Sequence, residues 1–547
     1  MNISTPSKGM QIKRICVALA GVGYTALLAG CGGGASTPAA PPPPPPTVTI
    51  DVFGARGAIL TAQVTATNCS ATPTVTWQTS GGVALGTGLT IQDTQPSSVI
   101  SATATCSTAT ATENLQANQV FSSNAAFAVL QNGTLNTWGD PVWGGNSTAT
   151  PTPVNNVTQV VASELGFAAL INTGTVTTIG NLAIQDPTAP APGDTATSAL
   201  TNVSNIIPGK AAYFAIKKDG SFTAWGFYHG LLTEADTAMN DPQNGLSASV
   251  LASLTNIKSI ASTVGAYAAL KSDGTVVAFG DTDTGANVTA VQPQLTNVTN
   301  VMGTNFDFVA LRKDGSVVGW GSPYFGLAIP KQTLSGVSNI TLDGSAGVAK
   351  TSLGTATAFG DATRVDAADS SSVSKLLNNV TTVYATQTSF AALLSNGNVV
   401  SWGDLPRMQS SLNTVQSSLT NVASIASTEY AFAALKNDGT VVTWGDSTVG
   451  GDSNAVASQL TKVVAITANK YAFAALTANG TVVTWGMASK GGSSAVTASL
   501  NNVRAIYATP FGGFLAVNKD GSFATWGDKW AGGGTVPATV TKITFTS

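Results

Sequence analysis

From about residue 118 to the C-terminus, short apolar runs and polar turns alternate in one recurring order, plainest in Ala431 to Gly445 and again in Ala472 to Gly486. An apolar run (Phe432 to Leu435) meets a polar turn (Asn437, Asp438, Gly439) and then a β-branched run (Thr440 to Thr443). With a glycine to supply positive φ at the turn, this pattern predicts a β-hairpin. The closing glycine recurs at Gly139, Gly180, Gly226, Gly280, Gly321, Gly360, Gly403, Gly445, Gly486 and Gly527, with a modal spacing of 41 residues. A Val-x-x-Ile pattern after each loop (Val422/Ile425, Val463/Ile466, through Val540/Ile543) predicts a third strand that completes each copy. Ala117/Val120, ahead of the first copy, has the same pattern and is expected to pair with the last unit and cover a free edge.

Ten near-copies of a three- or four-stranded unit of this length predict an all-β repeat fold, a β-propeller with ten short blades over residues 117–547. A single wide ring, a seven-bladed ring with extra units and an open spiral all fit that count. Seven of the ten tryptophans share one repeat position (Trp138, Trp225, Trp320, Trp402, Trp444, Trp485, Trp526), and Ile179, Phe279 and Phe359 fill it elsewhere. A slot that accepts Ile or Phe asks for apolar bulk, so these indoles are expected as plugs between blades.

The pattern Ala-x-x-Ala-Leu-x-x-Asp-Gly-x-Val-x-x-Trp-Gly resembles the regulator of chromosome condensation repeat. It is similar to bacterial members of that family such as the β-lactamase-inhibiting seven-bladed propeller. The resemblance implies a scaffold that presents loops to a protein partner. The family's partner-contacting residues lie outside the shared motif, so none transfers by position.

The N-terminal stretch has a different character. Lys8, Lys13 and Arg14 precede an apolar run from Ile15 to Leu28 that closes in Leu28-Ala29-Gly30-Cys31. A basic start, an apolar run too short to span a bilayer and a small-residue cleavage site read as a signal peptide over residues 1–30. It resembles the bacterial lipoprotein signal, which implies that Cys31 carries a diacylglycerol thioether and an N-acyl chain, with Gly32 suiting outer-membrane sorting. Residues 31–47, with six consecutive prolines (Pro41 to Pro46), cannot bury a core and are expected to form an extended stalk. Residues 48–116 lack the repeat, and the order Cys69, Trp77, Cys106 on a strand-rich background looks like a small immunoglobulin-like sandwich with one disulfide, Cys69 to Cys106.

Charge is sparse: 9% of residues, with 24 Lys plus Arg against 27 Asp plus Glu. Such a balance lacks the basic footprint that a phosphate backbone requires, so no nucleic-acid partner is expected. The sole histidine, His229, rules out a two-histidine metal site, and neither catalytic residues, a metal site nor a cofactor is expected. Asp281-Thr282-Asp283 lacks the distal glutamate of a calcium loop and reads as a turn. So do the other aspartates that follow the Trp-Gly pair, including Asp140, Asp446 and Asp528.

Between the Trp-Gly pair and the third strand, loop length and content vary while the framework is fixed, which marks those loops as the candidate contact surface. They carry Trp143, Phe227, Tyr228, Tyr324, Phe325 and Trp530, apolar groups with no repeat counterpart. The expected function is a membrane-anchored envelope lipoprotein that binds a protein or glycan through these loops, not an enzyme. A structural or adhesive envelope component is the first alternative, and a hydrolase or lyase with its site at the propeller mouth the second.

Overall fold

The computed structural model describes residues 43–145, 153–180, 200–210, 212–226, 248–322, 334–344, 346–360, 369–403, 405–493, 497 and 500–543. Cys31, Phe227, Tyr228, His229, Tyr324 and Phe325 lie outside these residues, and with them fall the lipid-anchor reading and the stalk reading up to residue 42.

Seven short strands come first. β1 (Thr47–Phe53), β2 (Ile59–Thr67) and β5 (Thr90–Gln92) form one antiparallel sheet. β3 (Thr74–Thr79), β4 (Ala84–Thr87), β6 (Ile100–Cys106) and β7 (Ala109–Leu115) form the second. Alternation writes the sandwich: along β6 every second residue is buried, from Ile100 to Cys106, because successive side chains point to opposite faces. Trp77 fills the core between the sheets and donates its indole N–H to Gly88 O at 2.9 Å. Cys69, just beyond β2, and Cys106, at the end of β6, are joined across the two sheets.

The repeats form ten three-stranded antiparallel sheets, each a propeller blade, over residues 120–139, 157–179, 203–226, 257–280, 298–321, 337–360, 380–403, 422–445, 463–486 and 503–527. The phase of the repeat differs from the sequence expectation. The Val-x-x-Ile strand pairs with the hairpin that follows it, as in Val160↔Ala169 and Ile425↔Ala434, and not with the one before. The reason is chain closure: a tight turn joins that strand to the next hairpin, whereas a long connection separates it from the previous one. For the same reason Val120 pairs with Val129 of the first blade, and not with the last blade.

Successive Val-x-x-Ile strands touch one another around the ring, so they are the innermost strands. The outer edge of the first blade carries a vestige of a fourth strand, the single bridge Leu135↔Val154. Except at Ile257, the inner strands after the first are held in place at their start by a bond to the preceding hairpin turn, as in Val422 N to Gly397 O (2.9 Å) and Val463 N to Gly439 O (2.9 Å). The last link of this belt is Ile543 N to Gly521 O at 2.9 Å. Ile543 therefore occupies the place that opens the first blade's inner strand, beside Val120, and Thr541 N donates to the Gln131 side chain of that blade.

These contacts decide the closure left open by sequence: the ten blades form one ring. The last blade meets the first as other pairs do. Trp320 and Trp485 donate their indole N–H to a turn glycine of the preceding blade (Gly285 O 2.9 Å, Gly450 O 3.0 Å), and Trp138 donates to Gly532 O of the last blade at 3.2 Å. The plug slot is buried as expected, with Trp444 at 0% and Trp138 at 3% exposure. The indole nitrogen also works here, which the bulk-only reading of the slot missed.

The sandwich sits against the inner strands at the hairpin-turn end of the ring. Gly54 N donates to Arg504 O (3.2 Å) and Thr61 Oγ1 to Val464 O (2.7 Å), so the sandwich satisfies carbonyls on the free inner edges of the last two blades. Phe53 is buried among residues of the last two blades, and Glu113 pairs with Arg504. Arg56 secures the joint. Its Nε bonds Asp93 at 2.6 Å, and its two amino groups reach the carbonyls of Leu115, Gln116, Gln95 and Ser98, where the chain leaves the sandwich.

Candidate functional site

At the opposite end of the ring from the sandwich, two kinds of turn share one face. The first joins inner to middle strand and begins with a short polar residue whose side chain accepts a backbone N–H three residues on, as Thr428 does from Ala431 (3.1 Å) and Asn469 from Ala472 (2.8 Å). This side-chain mimicry of a backbone turn leaves the intervening pair, Glu429-Tyr430 or Lys470-Tyr471, directed outward. Backbone bonds chain these turns from blade to blade: Gln387 N to Glu429 O, Glu429 N to Lys470 O, Lys470 N to Pro510 O and, across the closure, Phe511 N to Asn124 O, all between 2.9 and 3.1 Å.

The second turn follows the Trp-Gly pair. Asp140, Asp281, Asp446 and Asp528 each accept the N–H two residues on (2.8–2.9 Å) and start a short 3₁₀ turn. Their expected structural role is what the geometry shows. Burial works to raise the Asp528 carboxyl, but Lys490, 2.5 Å away, together with the Trp530 and Ala531 N–H groups, holds it below the ordinary carboxylate value.

Ring closure puts the first and last of these turns on adjacent blades, although their tryptophans are far apart in sequence. Trp143 is half-buried and packs edge-on against Phe511 of the last blade, with ring centroids 5.2 Å apart at 82°. Trp530 is 59% exposed, so its face is open to a ligand. Lysines lie over the rings: Lys470 over Phe511 (5.1 Å), Lys490 over Tyr471 (5.6 Å) and Lys529 over Trp530 (5.7 Å). Cation–π placement of this type contributes about 0.5–1 kcal/mol at an exposed site and holds a long side chain flat against the ring.

Of the six loop residues singled out from the sequence, the structure places Trp143 and Trp530 on this face; the other four lie outside the described residues. Phe511, Tyr471 and Tyr430 escaped the sequence reading because they stand inside the repeat, just before its apolar run. A signal was available, since the equivalent positions in the first and second blades are Ala125 and Leu165. Among the described residues no group of three His, Cys, Asp or Glu could hold a metal ion, and no helix is long and apolar enough to cross a membrane.

No protein-family model matches the chain, and no curated protein matches its sequence. Solved structures do match. Prp20p from Saccharomyces cerevisiae, whose structure was described with its binding to Gsp1p and histones, is 15% identical over 53% of this chain and 82% of its own, with a TM-score of 0.29. Human WBSCR16 is 16% identical over 60% of this chain and 89% of its own, with a TM-score of 0.28. The CRINKLY WD40 ectodomain of the Arabidopsis thaliana receptor kinase ACR4 is 13% identical over 52% and 95%, with a TM-score of 0.28. At these values the site rests on its own geometry.

Proposed function

We propose that this protein is a lipid-anchored binding module of the bacterial envelope, outer-membrane sorted, that presents the face around Trp143, Phe511 and Trp530 to a protein partner. The observation that carries the reading is the closure of the ring, which gathers aromatic groups from both ends of the repeat array into one patch interleaved with lysines. Exposed aromatic groups on a rigid frame are the kind that dominate binding energy, because little side-chain entropy is lost when they are covered. The reading asks this face for contacts and not for chemistry.

Two measurements test the reading. Cys31→Ser should abolish incorporation of a labelled fatty acid and release the protein from the membrane fraction; retention with full labelling would refute the anchor. Photo-crosslinking in envelopes from a probe at position 530 should capture one protein in stoichiometric yield, and Phe511→Ala should lower the capture at least about tenfold, the size of a modest hot spot. Capture that is equal from a probe on the outer blade surface would refute the face.

A further inference from the structure

The inner strands change character around the ring. At their third position, Asn300, Asn339 and Thr382 of the fifth, sixth and seventh blades are exposed and polar, whereas Ser424, Ala465 and Ala505 of the last three blades are covered or half-covered and small. The sandwich accounts for the second group, since it rests on the last blades. It does not fill the opening. Between its edge at Thr90 to Gln92 and the sixth to eighth blades lies a cavity of about 420 Å³, within the range of small-molecule sites (about 300–1,000 Å³) and at the junction of two folding units, where such sites concentrate.

The lining states the ligand's chemistry. Asn339 offers an amide, Gln92 its amide oxygen (its Nε2 donates to Gly57 O at 3.2 Å), and Thr382 and Thr90 hydroxyls, so the lining both donates and accepts hydrogen bonds. Tyr384 and Ile59 supply apolar surface, and the one charged group is Lys350; no carboxylate lines the cavity. A cation would find no counter-charge there, and a purely apolar ligand would strand the amides, a cost of about 1–3 kcal/mol for each group left unpaired. A molecule dense in hydroxyls with apolar C–H faces meets both demands.

We propose that this cavity is a saccharide-binding site, separate from the aromatic face and accepting a short sugar, neutral or bearing one carboxylate directed to Lys350. The full chain, held in a zwitterionic detergent without a sugar headgroup, is titrated calorimetrically with cellobiose, maltose, chitobiose and glucuronic acid. At least one probe should bind with a Kd of about 1 mM or tighter. Asn339→Ala and Thr382→Ala should each weaken that affinity about tenfold, and Lys350→Gln should remove any preference for the acid. Because Asn339 and Thr382 are exposed, an unchanged melting temperature is expected to accompany the loss in their variants. Trp530→Ala should leave sugar binding intact, which keeps this outcome apart from that of the protein-binding face. No heat from any probe at concentrations of order ten millimolar, or binding indifferent to both Asn339→Ala and Thr382→Ala, would overturn the proposal.

Discussion

One backbone position shows how the repeat is written residue by residue. The residue just before most inner strands adopts a left-handed conformation: Asn156, Asn202, Asn256, Asn297, Asn379 and Asn421 have φ between 54° and 64°, and Gly336 has 66°. Asparagine and glycine tolerate that region, whereas other side chains crowd the following carbonyl at a cost of roughly 1–2 kcal/mol. Lys462 breaks the rule at φ 53°. Lys462→Asn should therefore stabilise the protein by about 1 kcal/mol, read as a rise in the denaturation midpoint without a change in slope. The same logic places the closing glycine of the repeat. At Gly445, with φ 110°, a Cβ would stand 2.5 Å from Tyr430 O and 2.6 Å from Ala431 Cα, so alanine fails there on both counts.

The blade-to-blade plug is the element that repeats most faithfully, and its parts are not equivalent. Each of the seven indoles packs on an aromatic ring of its own blade, Tyr213 for Trp225 and a phenylalanine elsewhere, as Trp485 does on Phe473 at 5.1 Å and Trp526 on Phe514 at 5.1 Å. Trp485 also donates to Gly450 O of the preceding blade, while the Trp526 indole nitrogen is buried without a hydrogen-bond partner. Replacing either by phenylalanine removes similar apolar volume, so the difference isolates the hydrogen bond. Trp485→Phe should cost about 1 kcal/mol more than Trp526→Phe in chemical denaturation, because only the first leaves a buried carbonyl unsatisfied. Equal losses would mean that packing alone matters at this slot. The sequence made the slot legible through its period; the partner of an indole nitrogen, where it has one, was not legible, since it belongs to a neighbouring blade.

At the scale of the whole molecule, the ring and the sandwich each have a joint that can be tested. The ring closes because Ile543 completes a belt begun by Val157, and Gly532 lets the last blade approach Phe127, where a Cβ would come within 2.6 Å. Deleting residues 538–547 should raise amide exchange in the first and last blades while leaving the fifth and sixth protected; uniform exchange would mean that the ring is held some other way. The sandwich joint depends on Arg56 and Asp93, both buried. Burial tends to raise the Asp93 carboxyl, but its bonds to Arg56, Gly57 and Gln95 prevail and hold it below its ordinary value. A carboxyl lowered in the folded state stabilises fully above its unfolded value near 4, and that stability fades as the pH falls below it. Melting temperature should accordingly decline on acidification below about pH 4. Asp93→Asn should cost about 3–5 kcal/mol at neutral pH, because it leaves the guanidinium buried without its counter-charge, and should flatten the acid limb.

Sequence alone determined the strands, their period, the ten-fold count, the buried plugs and the Cys69 to Cys106 pairing, because each is a local matter of alternation, turn chemistry or spacing. It also pointed to Trp143 and Trp530 by their departure from the repeat. Only the tertiary structure decided that inner strands pair forward, that the ten units close into one ring, and that the sandwich covers part of the opening while leaving a polar cavity. Those outcomes depend on which free edges and turns meet across hundreds of residues. A repeat of near-identical units carries almost no information about that, since every unit offers its neighbours the same edge.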